Sequence, residues 1–146
     1  MSAKDGFEGE ILDLLFLNEP IVGIGDSNGI LGSVSAGNFF VALYTVTPSD
    51  SDQGTECDYD GYARVAVPRN ASGFVRDGNA ISNASALAFP QCASGETDTA
   101  VAFTLNKASG VDVDDGILWG PLTSNLDISV GVTPEYNIGD LVINID

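Results

Sequence analysis

The residues best placed to do chemistry lie in GTECDYDGYARVAVPR, Gly54–Arg69, where Glu56, Asp58 and Asp60 crowd around Cys57, Tyr59, Tyr62 and Arg64. Carboxylates beside phenols and a thiol suit acid–base catalysis or a cation site. The rest of the chain withholds the partners such chemistry needs. Histidine is absent, which removes Ser-His-Asp and Cys-His nucleophiles and imidazole metal sites together. Cys57 and Cys92 are two lone thiols and make no zinc site. Asp50–Gly54 (DSDQG) and Asp112–Gly116 (DVDDG) open like calcium loops, but Gly61 and Thr123 stand where the bidentate glutamate belongs. Both read as solvated turns. Paired carboxylates could hydrolyse a glycoside, yet 21 acids supply such pairs anywhere. Gly23–Gly29 (GIGDSNG) lacks the lysine of a phosphate loop. The sequence assigns no catalytic, cofactor-binding or metal-binding residue, expects no cofactor, and points away from an enzyme. Gly54–Arg69 is then a structural corner. Arg64 pairs with Asp58 or Glu56, and the tyrosines bury their rings while keeping their hydroxyls wet.

A corner needs elements to hold it. Asp5 followed by Glu8 fits a capping box with Asp5 as the cap. Phe7, Ile11, Leu14 and Leu15 then share a helical face, and Pro20 ends the segment. The apolar stripe is wide, so this helix needs cover from its own sheet or from a neighbouring subunit. Val22–Asn38 is rich in Gly, Ser and Asn and predicts a long loop, either a contact arm or filler. Phe39–Val46 is a continuous apolar run, as in a strand buried on both faces. Thr47–Thr55 is turn chemistry, and Tyr62–Val67 is the next strand, limited by Pro68 to an edge or an end.

Short strands follow at Phe74–Val75, Ala80–Ile81 and Ala86–Phe89, with a hairpin turn at Asp77-Gly78. Thr99–Leu105 alternates, with Val101, Phe103 and Leu105 on one face. Gly116–Gly120 and Leu126–Val130 read as two more strands, and Leu141, Ile143 and Ile145 share a face near the end. About eight strands with frequent turns predict a mainly β fold, an antiparallel β-sandwich or jelly-roll-like domain with one N-terminal α-helix. The expected organisation is a single domain over 1–146, with a helix at 5–18, a loop arm at 19–38 and the sandwich at 39–146.

Composition narrows the partners. The chain has 146 residues, 44% of them apolar and 18% charged, enough to bury about two thirds of its unfolded surface. Its net charge of −16 repels phosphate backbones and anionic membranes, so no direct nucleic-acid or membrane binding is expected. The first twenty residues carry acids within their apolar part and do not resemble an export signal. Ile11–Leu17 is too short to span a bilayer. Synthesis in a reducing cytoplasm, with Cys57 and Cys92 as free thiols, is expected. The sequons at Asn70 and Asn83 mean little without a secretory route.

The stretches FEGEILDLLFLN, FFVALYTVTPSD, ECDYDGYARVAVPR, AFPQC, GILWGPLTSNLDISVGVTPEY and GDLVINID together resemble a family of small tailed-bacteriophage virion structural proteins. Some members are described as tail-fibre proteins and others are similar to capsid decoration, or cement, proteins. Val22–Asn38 and Val111–Asp115 depart from that pattern. The resemblance implies a structural protein of the virion. The first expectation is a decoration protein on the capsid surface, binding the major capsid protein and its own copies as a homotrimer. Helix Gly6–Asn18 and loop Val22–Asn38 would make the contacts. The alternative is a tail- or fibre-associated protein. A carbohydrate-binding module ranks behind both, because Trp119, the one tryptophan, reads as core or interface within GILWGPL.

Overall fold

The computed structural model describes residues 3–144. It is mainly β and antiparallel, with one N-terminal helix. Helix α1 (Asp5–Leu12) runs directly into a π-helical turn, Asp13–Leu17. Ten strands follow: β1 (Asn38–Val46), β2 (Thr55–Glu56), β3 (Val65–Pro68), β4 (Phe74–Asp77), β5 (Ala80–Asn83), β6 (Leu87–Ala88), β7 (Asp98–Asn106), β8 (Gly116–Ile128), β9 (Glu135–Tyr136) and β10 (Val142–Asn144). Among the described residues no helix is long and apolar enough to cross a membrane.

The chain divides into two compact units, each assembled from separated stretches. Unit 1 comprises 1–38, 68–87 and 136–146; unit 2 comprises 39–67 and 88–135. In unit 1 a three-stranded sheet of order β10-β5-β4 carries the helix. Asp77 faces Ala80 across the β4–β5 hairpin, so its two turn residues are Gly78 and Asn79, one place beyond the expected Asp77-Gly78. Phe16 meets Phe74 edge-to-face at 5.0 Å, and Leu12, Ile81, Leu141 and Ile143 are buried with them. Ile145, expected on the same face as Leu141 and Ile143, lies outside the described residues.

The helix is phased differently from the expectation. Its cap is Lys4, which makes no side-chain capping bond, and Asp5 already lies inside the first turn. Glu8, the other half of the expected capping box, is instead buried and accepts a hydrogen bond from Asn79 Nδ2. The buried face is Glu8, Gly9, Leu12 and Phe16, while Phe7 and Leu15 stay exposed. Gly9 lets the guanidinium of Arg76 approach closely, and a four-residue spacing from 8 to 16 tracks one face once the last turn widens to π geometry. Asn18, in the left-handed region at φ 61°, ends the helix two residues before Pro20.

Unit 2 is built on the sheet β2-β1-β7-β8, with β3 also paired to β1. β1 is central, and Val41, Ala42, Leu43 and Tyr44 are all buried. Three expectations change here. β3 begins at Val65, not Tyr62, because Tyr62 N–H closes a turn onto Tyr59 O at 2.8 Å. Gly116–Gly120 and Leu126–Val130 are parts of one 13-residue strand, β8, which passes Pro121 with a shift in register against β7. β8 is the last strand of the sheet path, where a proline costs no ladder bond. On β7 the better buried face is Ala100, Ala102, Thr104 and Asn106, whereas Val101 and Phe103 are half-buried. Leu105, expected with Val101 and Phe103, is fully buried.

Candidate functional site

Gly54–Arg69 folds into a closed polar corner in unit 2. Arg64 is its hub, with a side chain wholly out of solvent. Nε donates to Glu56 Oε1 (2.8 Å) and Nη2 to Glu56 Oε2 (2.9 Å), a bidentate pair. Nη1 donates to Asp115 Oδ1 (2.7 Å) and Ala108 O (2.9 Å), and Nη2 also to Val113 O (3.0 Å). Those bonds satisfy all five guanidinium N–H groups. Burial would lower the Arg64 pKa, but the hydrogen bonds to Glu56 and Asp115 outweigh it and raise it. Asp58, the other expected partner, is exposed; only its backbone N–H joins the corner, donating to Asp98 Oδ2 at 2.8 Å.

Glu56 is equally engaged. Oε1 also accepts from Tyr62 Oη (2.8 Å), and Oε2 from the N–H of Asp112 (2.8 Å). The tyrosine hydroxyls are therefore not wet. Tyr62 Oη accepts from Leu43 N–H at 3.0 Å, and Tyr59 Oη donates to Pro90 O at 2.9 Å. Their rings meet edge-to-face at 5.2 Å, and Tyr62 stacks on Phe89. Burial pushes both phenols and the Cys57 thiol well above their ordinary range, with Glu56 adding to Tyr62 and Asp98 to Cys57. Cys57 and Cys92 are buried and unpaired with each other. A carboxylate already holding an arginine, a phenol and a backbone N–H has no capacity left for a substrate. The corner is a clamp: it ties β2 to the loop 108–115, whose Asp112 sits in the left-handed region at φ 58°.

The acidic turns are likewise engaged in holding backbone. Asp52 Oδ1 accepts from Gly54 N–H (2.9 Å), and Asp115 belongs to the clamp. Among the described residues no three acidic or cysteine side chains gather as a metal site. Asn83, read as a sequon, is fully buried and joins two segments of unit 1, accepting from Leu141 N–H and donating to Ser85 O and Asn137 O.

The feature left open to a partner is the arm. It carries bulky apolar side chains into solvent: Val22 is 67% exposed and Leu31 65%, with Val34 fully bare. Yet the arm is held rigidly at its base. Asn18 exchanges two bonds with Ser33, donating to its carbonyl (2.9 Å) and accepting from its N–H (2.7 Å). Ile21 and Ile30 exchange both backbone bonds. Gly29 has φ 70°, and a Cβ there would lie 2.1 Å from Ile21 O, so no other residue fits. Arg69 donates to Leu14 O and Leu15 O in the π turn and to Ala36 O in the arm. Sequence reading missed Arg69 and Asn18, because neither carries a local pattern linking residues 15 to 55 positions apart.

A family model described as Podophage GP4 fiber I protein gp80 matches residues 31–144. No curated protein sequence matches the chain.

Proposed function

The chain belongs to the family of Podophage GP4 fiber I protein gp80, and so is a phage virion structural protein; from that premise we propose that it is mounted in the fibre apparatus of a podophage particle. The family match carries this reading, since it covers most of the chain and its description names a fibre. It favours the fibre-associated alternative over decoration of the capsid surface. The protein works by adhesion and holds no reacting centre. A clamp with every donor and acceptor satisfied, together with bare apolar side chains on a braced arm, supports that division of labour.

The arm is the docking element. Val22, Leu31 and Val34 lose water when they pack on a neighbouring virion subunit, and the bracing by Asn18 and Arg69 lowers the ordering cost of that contact. Copies of the chain associate as a homotrimer within the assembly. Gold-labelled antibody on intact particles tests the location. Label confined to one pole supports the fibre reading, and even label over the head returns the capsid-decoration reading with the major capsid protein as partner. Leu31→Asp, an exposed position whose change should leave the circular dichroism spectrum unaltered, should abolish incorporation into particles. Light scattering on the purified chain reads the trimer.

A further inference from the structure

Across the sheet of unit 2, Ala42 on β1, Thr104 on β7 and Trp119 on β8 fall in one row, and Tyr44, Ala102 and Pro121 in the next. Directly paired residues of antiparallel strands point to the same face. Tyr44, Thr104 and Trp119 therefore share one face, beside the turn Pro48–Gln53. The result is a cleft of about 380 Å³, within the ~300–1,000 Å³ range of small-ligand sites. Its floor includes Tyr44 and Thr104, one wall is Ile117 and Trp119, and the opposite wall is the turn Pro48–Gln53. Trp119 is 44% exposed at the rim, so of the expected core-or-interface reading the core half does not hold.

We propose that this cleft binds a neutral saccharide. Three observations select that chemistry. An exposed indole over a trough offers a flat apolar face for the C–H face of a pyranose ring. Around it stand hydroxyl-matching groups: Asp50, Asp52, Asp114, Ser49 and Gln53. No lysine or arginine lines the cleft, and three carboxylates in a chain of net charge −16 repel sialylated, uronic or phosphorylated sugars.

The walls are preformed. Ser49 N–H donates to Asp52 O at 2.8 Å, and a Cβ at Gly54 would lie 2.3 Å from Val46 O, so that turn admits only glycine. The Arg64 clamp grips Val113 and Asp115 on either side of Asp114. A site held this way loses little entropy on binding. The assignment stands on the cleft alone and does not depend on where the protein sits in the particle.

Trp119 is the one tryptophan in the chain beside four tyrosines, so indole emission excited beyond the tyrosine absorption reports on this cleft. The intact protein is titrated with maltose, cellobiose, lactose and diacetylchitobiose, with sialyllactose and choline as contrasts, and is applied to an array of neutral oligosaccharides. A saturable change in Trp119 emission with a neutral sugar supports the proposal. Calorimetry on Trp119→Ala should show affinity for that sugar reduced about tenfold or more, and Asp114→Asn, a surface change, should weaken it while the fold is retained. The proposal is overturned by silence across the neutral sugars and the array, by unchanged affinity in Trp119→Ala, or by a response to sialyllactose or choline alone.

Discussion

Arg64 and Glu56 are charged, buried and mutually dependent, and the consequence of cutting one from the other is steep. Arg64→Ala leaves Glu56 and Asp115, with the carbonyls of Ala108 and Val113, around a cavity that has lost its cation, and should destabilise the fold by about 3–5 kcal/mol in urea unfolding. The paired change Glu56→Leu with Arg64→Leu removes both charges and should recover a good part of that loss. A second prediction concerns alkaline pH. Cys57 ordinarily titrates near 9.0, and Tyr59 and Tyr62 near 10.0; all three are raised in the fold, first by burial. The unfolded chain releases these protons before the folded chain does. Their contribution is complete below pH 9.0 and is lost as pH climbs past 9 and 10, by about 1.4 kcal/mol per pH unit for each group. Unfolding midpoints measured from pH 8 to 11 check the direction, and a flat profile contradicts it. Cys57 and Cys92, buried as they are, should react with a thiol reagent only after denaturant is added.

The element with the most consequence for docking is the π turn and its cap. Asn18 occupies a left-handed backbone position that costs an ordinary residue about 1–2 kcal/mol, and its amide holds Ser33. Asn18→Ala should therefore lower stability by about 2 kcal/mol and free residues 22–36, seen as faster amide exchange confined to the arm. Asn18→Gly loses the same amide but avoids the backbone cost, so the arm should still loosen with a smaller loss of stability. How far such elements could be read in advance follows from range. β1, the β4–β5 hairpin and the irregular arm were legible because apolar runs and turn residues act locally. The phase of α1 was not, because Gly9 and Phe16 are chosen by Arg76 and Phe74, far along the chain. Tyr62–Ala63–Arg64 carries strand-forming residues, but Glu56 draws Tyr62 and Arg64 into the corner instead. The cleft beside Trp119 was invisible for a similar reason: its floor exists only through the register of three strands.

At the scale of the molecule, charge sets the terms. With 21 acids against 5 bases, the folded chain repels itself and its copies. Added salt should raise the thermal midpoint and tighten self-association, as scanning calorimetry and light scattering in low and in ~0.5 M sodium chloride can read. A falling midpoint would show that the attractive pairs around Arg64 and Arg76 dominate. The interleaving of the two units along the chain bears on biosynthesis. The helix and the β4–β5 hairpin leave the ribosome long before Val142–Asn144, which must pair with β5 to finish their sheet. Unit 1 therefore cannot close its sheet until Val142–Asn144 has been made. A message cut short ahead of Val142 should yield a hairpin with a raw edge, open to host proteases before it can reach a particle.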